Sequence, residues 1–197
     1  KGKTIVVENG VSSLFKPLDQ KKSREKHKLP LTAPILIYTG HISKERGAVL
    51  LMKAFEKVKE KEKDAILLLS GKVEKGIGIK QPGIVYKTFS ERQNVVEGIS
   101  AADIAVLPQP FNATTKYTFP YKLMEYLACD TAVVATGVGD VKRVLPAENL
   151  AKPDPDALAD TILRVLHGKK QNYRKLASAY SWEKLARRLQ KGLEALS

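Results

Sequence analysis

Short apolar runs recur along this chain, and most of them close on a small or rigid residue: ILIYTG to Gly40, ILLLSG to Gly71, IAVLP to Pro108, and AVVAT followed by Gly137. Runs of this length with no polar alternation fit strands covered on both faces, which belong to parallel sheets flanked by helices. GIVYKTF, from Gly83, reads as a further strand. The intervening segments carry apolar residues at helical spacing. Leu50, Leu51, Ala54, Phe55 and Val58 do so within 47–63, Val95, Val96, Ile99 and Ala102 within 91–102, and Leu158, Ile162, Val165 and Leu166 within 156–166. Alternating strands and helices predict an α/β fold, a Rossmann-like doubly wound parallel sheet of about six strands in a single domain.

The remaining segments complete that reading. Residues 4–7, TIVV, form a β-rich run closed by Glu8-Asn9-Gly10, and Asn-Gly is a strong turn signal. Residues 19–29 are charged, helical in pattern and ended by Pro30, and read as surface. A closing helix is expected over 182–196, with Ser181 as its cap and Leu185, Leu189 and Leu193 along one face.

With 197 residues, 43% of them apolar, the chain suffices for one α/β domain and leaves no room for a second. No apolar run approaches the roughly 20 residues of a spanning helix, and Lys1-Gly2-Lys3 opens no signal core, so the chain reads as soluble and cytoplasmic. One cysteine, Cys129, excludes an internal disulfide and reads as a small buried residue. The formal charge of +13 suits phosphorylated substrates, nucleic acid or peripheral contact with an anionic membrane. Lys53, Lys57, Lys59, Lys61 and Lys63 alternate with glutamates, which favours a solvated face, and this richness in Lys and Glu hints at a thermophile. No stretch interleaves aromatics with cations as a base-stacking surface would, which argues against a nucleic-acid module.

Two phosphate motifs fail on inspection. The glycines at 76 and 78 are separated by Ile77 and lack the lysine of a P-loop. Gly137-Val-Gly139-Asp140 lacks the third glycine of a dinucleotide fingerprint and does not follow the first strand. Asn112-Ala113-Thr114 fits a glycosylation sequon but has no secretion signal beside it. His27, His41 and His167 show no carboxylate spacing that marks a metal site.

The most informative stretch is 118–136, TFPYKLMEYLACDTAVVAT. Pro120 suits a first helical turn, where the free NH groups of the following residues can meet an anion. Leu123, Tyr126 and Leu127 form an apolar stripe, and Glu125 falls off it, free to face a cleft. The succession of this loop, Pro-x-Lys-Leu-x-Glu-Tyr-Leu-Ala and AVVAT resembles the group 1 family of retaining glycosyltransferases, in the GT-B domain that holds the donor.

That resemblance implies a nucleoside-diphosphate sugar as donor substrate, no cofactor and no metal, and transfer to an acceptor with retained configuration. It implies that Glu125 binds the ribose and that the loop 117–123, here Tyr117, Thr118, Phe119, Tyr121, Lys122 and Leu123, borders the donor. The family pattern has a glutamate where this chain has Tyr117. The loop after the first buried strand resembles Gly-Arg-x-x-x-x-Lys-Gly, whose cations hold the diphosphate; here it reads Gly40, His41 and, further on, Arg46-Gly47. Arg46 brings a planar fork able to grip two phosphate oxygens, whereas an imidazole is largely neutral near pH 7 and makes His41 the weaker half. The base is expected against backbone groups of Tyr86, Lys87, Thr88 and Phe89. Asn9-Gly10-Val11 with Phe15 to Pro17 resembles the family's crossing between domains, so residues 1–197 read as the donor domain, with the N-terminal acceptor domain as partner and absent here. On this reading the chain binds donor but is inactive alone. A relative that binds nucleotide sugar without turnover remains the alternative.

Overall fold

The computed structural model describes residue 4 and residues 6–113, 115–119 and 121–194. Its centre is a parallel sheet of β1 (Ile35–Thr39), β2 (Ile66–Ser70), β3 (Ile84–Tyr86), β4 (Ile104–Leu107), β5 (Ala132–Thr136) and β6 (Leu150–Ala151), in the order β3-β2-β1-β4-β5-β6. The chain therefore winds outward from β1 in one direction and from β4 in the other. Between these strands the order reverses, and a crevice opens beyond their carboxyl ends.

Alternate strand residues supply two separate cores, as the two-residue period of a strand requires. Ile35, Ile37, Ala105, Leu107, Val133 and Ala135 face one side, where α3 (Arg92–Ala101) and α4 (Tyr121–Ala128) cover them. Leu36, Tyr38, Leu67, Leu69, Val106 and Val134 face the other, under α2 (Ala48–Lys61) and α6 (Pro155–Leu166). Both faces of β1 are thus dry, which explains its unbroken apolar run. Burying each Leu or Ile of this kind contributes about 1.5–3 kcal/mol. Asp154 caps α6, accepting from the Ala157 amide at 2.9 Å, and Pro155 fills its first turn.

Three sequence expectations are corrected. No strand includes Thr4, Val6 or Val7, while Ile5 lies outside the described residues; the sixth strand is β6, anchored by buried Asn149, whose Nδ2 donates to the Val133 carbonyl at 2.7 Å. The 83–89 strand is only Ile84–Tyr86, because Lys87 already turns away after one last bond from its amide to the Leu69 carbonyl. The charged helix α1 (Gln20–Lys26) is not wholly surface: Arg24 is buried, and its guanidinium donates to the carbonyls of Ala101, Leu31 and Ala33 and to Asp103 at 2.8 Å. Asp103 in turn accepts from the Ile35 amide at 2.7 Å, so one ion pair ties α1 to the starts of β1 and β4.

Two short helices, α5 (Val141–Val144) and α7 (Arg174–Ala177), precede the closing helix α8 (Trp182–Glu194), which begins as expected, with the Lys184 amide donating to Ser181 Oγ at 3.3 Å. Of its apolar face only Leu185 is buried; Leu189 and Leu193 are exposed, and Leu196 lies outside the described residues. The helix is held instead to the N-terminal segment. The Val11 amide donates to the Tyr180 carbonyl at 2.8 Å, Arg188 pairs with Glu8 at 2.9 Å, and the Trp182 ring lies on Gly10. Cys129 is buried, and burial pushes its thiol up to about 12.

Arg24→Met should destabilise the fold by about 3 kcal/mol, the lower end for a broken buried pair because Asp103 keeps some solvent contact. Urea denaturation checks this, and a loss below about 0.5 kcal/mol would mean that the packing of α1 does not depend on the pair.

Candidate functional site

At the reversal of strand order lies a cleft of about 210 Å³, lined by Tyr38, Gly40, His41, Arg46, Leu107, Gln109, Thr118, Phe119, Tyr121 and Lys122. Each wall follows from local structure. Gly40 follows β1 at φ 113°, a conformation that favours glycine, and the Lys122 side chain from α4 crosses over it, its Cε 2.3 Å from where a Cβ would stand. Ser43 caps a turn of 3₁₀ helix, Lys44–Arg46, by accepting from the Arg46 amide at 3.3 Å. Gly47 then turns at φ 83° into α2, so close to β4 that a Cβ would sit 1.8 Å from the Pro108 carbonyl oxygen. The His41–Arg46 loop is thereby pressed against the end of β4.

Two tyrosines set this loop in place. Tyr38, buried on β1, donates its hydroxyl to the His41 carbonyl at 2.9 Å; burial pushes that phenol up to about 12, against the lowering effect of nearby Arg46. Tyr126, fully buried on α4, accepts from the Thr39 amide at 2.9 Å and lies 3.0 Å from Thr39 Oγ1. Lys122 Nζ stands 4.8 Å from the centre of the Tyr121 ring. His41, Arg46 and Lys122 thus border a cleft that no carboxylate lines among the described residues. α4 starts at the same cleft, directing its positive end there. Pro120, expected at that start, lies outside the described residues.

Glu125 is half-buried in an adjoining recess of about 240 Å³, with Asn9, Gly10, Ser12, Phe15, Arg92, Tyr121 and Trp182. Tyr121 is the wall the two recesses share. Burial raises the Glu125 carboxyl above its usual range, while Lys122 and Arg92 pull it down. Lys87, Thr88 and Phe89 line a third, shallower recess with Lys26, His27 and Asn94. His27 meets Phe89 edge-on and lies 3.0 Å from the buried Glu97 carboxylate, whose pKa remains below the usual range: burial opposes this, and hydrogen bonds from Lys26, Gln93 and His27 outweigh it.

The structure therefore gathers Gly40, His41, Arg46, Thr118, Phe119, Tyr121 and Lys122 at one cleft and sets Glu125 next door. Leu123 is fully buried, so only its backbone can meet a ligand. Tyr86 directs its hydroxyl to the Gly71 carbonyl at 2.7 Å, and Tyr117 is 77% exposed, lining neither recess. Tyr38, Gln109, Arg92 and Trp182 were not foreseen. Tyr38 reads in sequence as one more core residue of a strand; its three-residue distance from His41 was the available signal.

Residues 33–168 match the family described as "Glycosyl transferases group 1", and the chain belongs to that family. Its fold is that of several solved structures. Sucrose-phosphate synthase (tll1590) from Thermosynechococcus elongatus is 24% identical with a TM-score of 0.75, over 100% of this chain and 54% of that one. A glycosyltransferase from Rickettsia africae ESF-5 is 19% identical with a TM-score of 0.76, over 98% and 57%. The C-terminal domain of a glycosyl transferase group 1 family protein (LpcC) from Francisella tularensis is 19% identical with a TM-score of 0.71, over 86% and 97%. The chain thus spans about half the length of the first two and nearly all of the isolated C-terminal domain. No curated sequence matches it.

Because the Glu125 pKa is raised in the fold, its ionised form opposes folding. That penalty is fully present above the folded value and vanishes below the unfolded one, so stability rises as pH falls through the window between them. Glu125→Gln should accordingly raise the melting temperature slightly at pH 7 and leave it unchanged near pH 3. A marked loss at pH 7 would instead make Glu125 a structural acid.

Proposed function

We propose that this chain is the donor-binding domain of a retaining glycosyltransferase, holding a nucleoside-diphosphate sugar for transfer to an acceptor. The observation that carries this reading is the convergence of His41, Arg46 and Lys122, with the start of α4, on a carboxylate-free cleft at the reversal of strand order. Such a cleft suits a diphosphate. Family membership supplies the transfer chemistry, and the half-length match to two of the solved structures supports a second domain as the acceptor side.

In this reading the diphosphate lies between Arg46 and Lys122, and the ribose passes Tyr121 to reach Glu125, whose carboxylate accepts from its hydroxyls. The base rests against the backbone of 87–89. As the bond from the sugar to the diphosphate breaks, negative charge grows on the leaving oxygens. Fixed cations and amides stabilise it without reorganising, and they act most strongly where water is excluded. The rest of the surplus positive charge suits an anionic membrane surface on which the whole enzyme works.

A charge-assisted arginine contact contributes about 1.5–3 kcal/mol and an ordinary hydrogen bond about 1 kcal/mol. Arg46→Ala should therefore weaken binding of UDP, GDP or ADP, whichever the wild type takes, by about 10- to 100-fold, and His41→Ala by about fivefold. Calorimetry at pH 7 checks both, and unchanged affinity in Arg46→Ala would remove the diphosphate from this cleft. Trp182, the one tryptophan, borders the Glu125 recess, so its fluorescence should change on saturation with the same nucleotide. A silent Trp182 during binding proven by calorimetry would place the nucleoside elsewhere.

A further inference from the structure

Arg46 also borders another recess, of about 370 Å³, lined by Glu45, Arg46, Asn112, Ala113 and Thr115. Arg46 is the one residue that this recess shares with the cationic cleft among the described residues. Both walls are stiff. Glu45 and Arg46 are successive residues of the capped 3₁₀ turn that Gly47 locks against β4. Opposite them, the Asn112 amide donates to Thr115 Oγ1 at 3.0 Å, the Thr115 amide donates to Asn112 Oδ1 at 2.9 Å, and Thr115 Oγ1 donates to the Pro110 carbonyl at 2.5 Å. Thr115 is buried at the centre of this knot.

A sugar attached to a diphosphate held by Arg46 must lie beside Arg46, and its hydroxyls need acceptors. An ionised carboxylate is acceptor-only and makes the stronger, charge-assisted bonds. Glu45 is the sole carboxylate lining either the cleft or this recess among the described residues, and it has no hydrogen bond or ion pair there. The Asn112 side chain is engaged in the knot, and Tyr117, at the position where the resembled pattern carries an acid, faces solvent.

We infer that Glu45 is the sugar-recognising carboxylate of this chain: it accepts hydrogen bonds from hydroxyls of the donor's hexose, seated between the 3₁₀ turn and the knot of Asn112 with Thr115. The inference rests on the donor reading above and adds the residue that distinguishes a sugar nucleotide from the bare nucleotide. Glu45 is exposed and outside the core, so its substitution leaves the fold intact.

The test pairs each nucleotide with its conjugate on the 197-residue chain: UDP with UDP-glucose, GDP with GDP-mannose, ADP with ADP-glucose. For the pair the wild type binds, Glu45→Gln should weaken the sugar nucleotide about tenfold and leave the bare nucleotide unchanged. Tyr117→Ala should alter neither. Equal effects of Glu45→Gln on both ligands, or none on either, would overturn the assignment, as would a selective loss in Tyr117→Ala alone. Failure of the wild type to bind any nucleotide of the panel would overturn the donor reading itself, and the role of Glu45 with it.

Discussion

The hydroxyl of Tyr126 holds the site together. It lies between the Thr39 amide and Thr39 Oγ1, at 2.9 and 3.0 Å, and so fastens α4 to the last residue of β1. Both sides of the cationic cleft depend on that joint: Gly40 follows Thr39, and Lys122 sits one turn before Tyr126 on the helix. Burial pushes the Tyr126 phenol well above its ordinary range, which keeps it neutral and able to serve as both acceptor and donor. The close approach of Lys122 to Gly40 is the consequence, and it brings a cation from the second half of the sheet onto a loop from the first.

The sheet's winding makes this joint useful. Because β1 and β4 are neighbours from which the chain winds in opposite directions, no crossover covers their carboxyl ends, and the loops there are free to hold a ligand. The ion pair of Arg24 with Asp103 braces the same two strands at their starts, through the Ile35 amide. One end of the central strand pair is thus braced by an ion pair, and the other opens onto the cationic cleft.

Much of this was legible in the residues. Strands buried on both faces announce themselves as unbroken apolar runs, and α2, α3 and α6 by their stripes, so five of the strands and their covering helices were readable. β6 was not, because a two-residue strand has no pattern; it exists through Asn149 and its bond to Val133. Arg24 looked solvated because helical charge usually is, and its partner Asp103 is 79 residues away. Around the cleft, the off-stripe position of Glu125 was readable from helical spacing, whereas Gly40, His41, Arg46 and Lys122 were marked only through the resemblance of their loops to the family's. The separation of Glu125 from the cationic cleft by Tyr121, and the placing of Trp182 over Gly10 beside it, depend on contacts across the whole chain that no local pattern carries.

The central claim is that one nucleotide spans the reversal point, touching the loop after β1 and the start of α4 together. Amide hydrogen exchange on the chain with and without its nucleoside diphosphate tests it directly, since bound ligand slows opening of the backbone it touches. The account predicts protection in two separate stretches, 40–47 and 118–125, rising together with nucleotide concentration and with a common midpoint. Protection confined to one of these stretches, or centred at the opposite edge of the sheet where β4 and β5 begin, would contradict it.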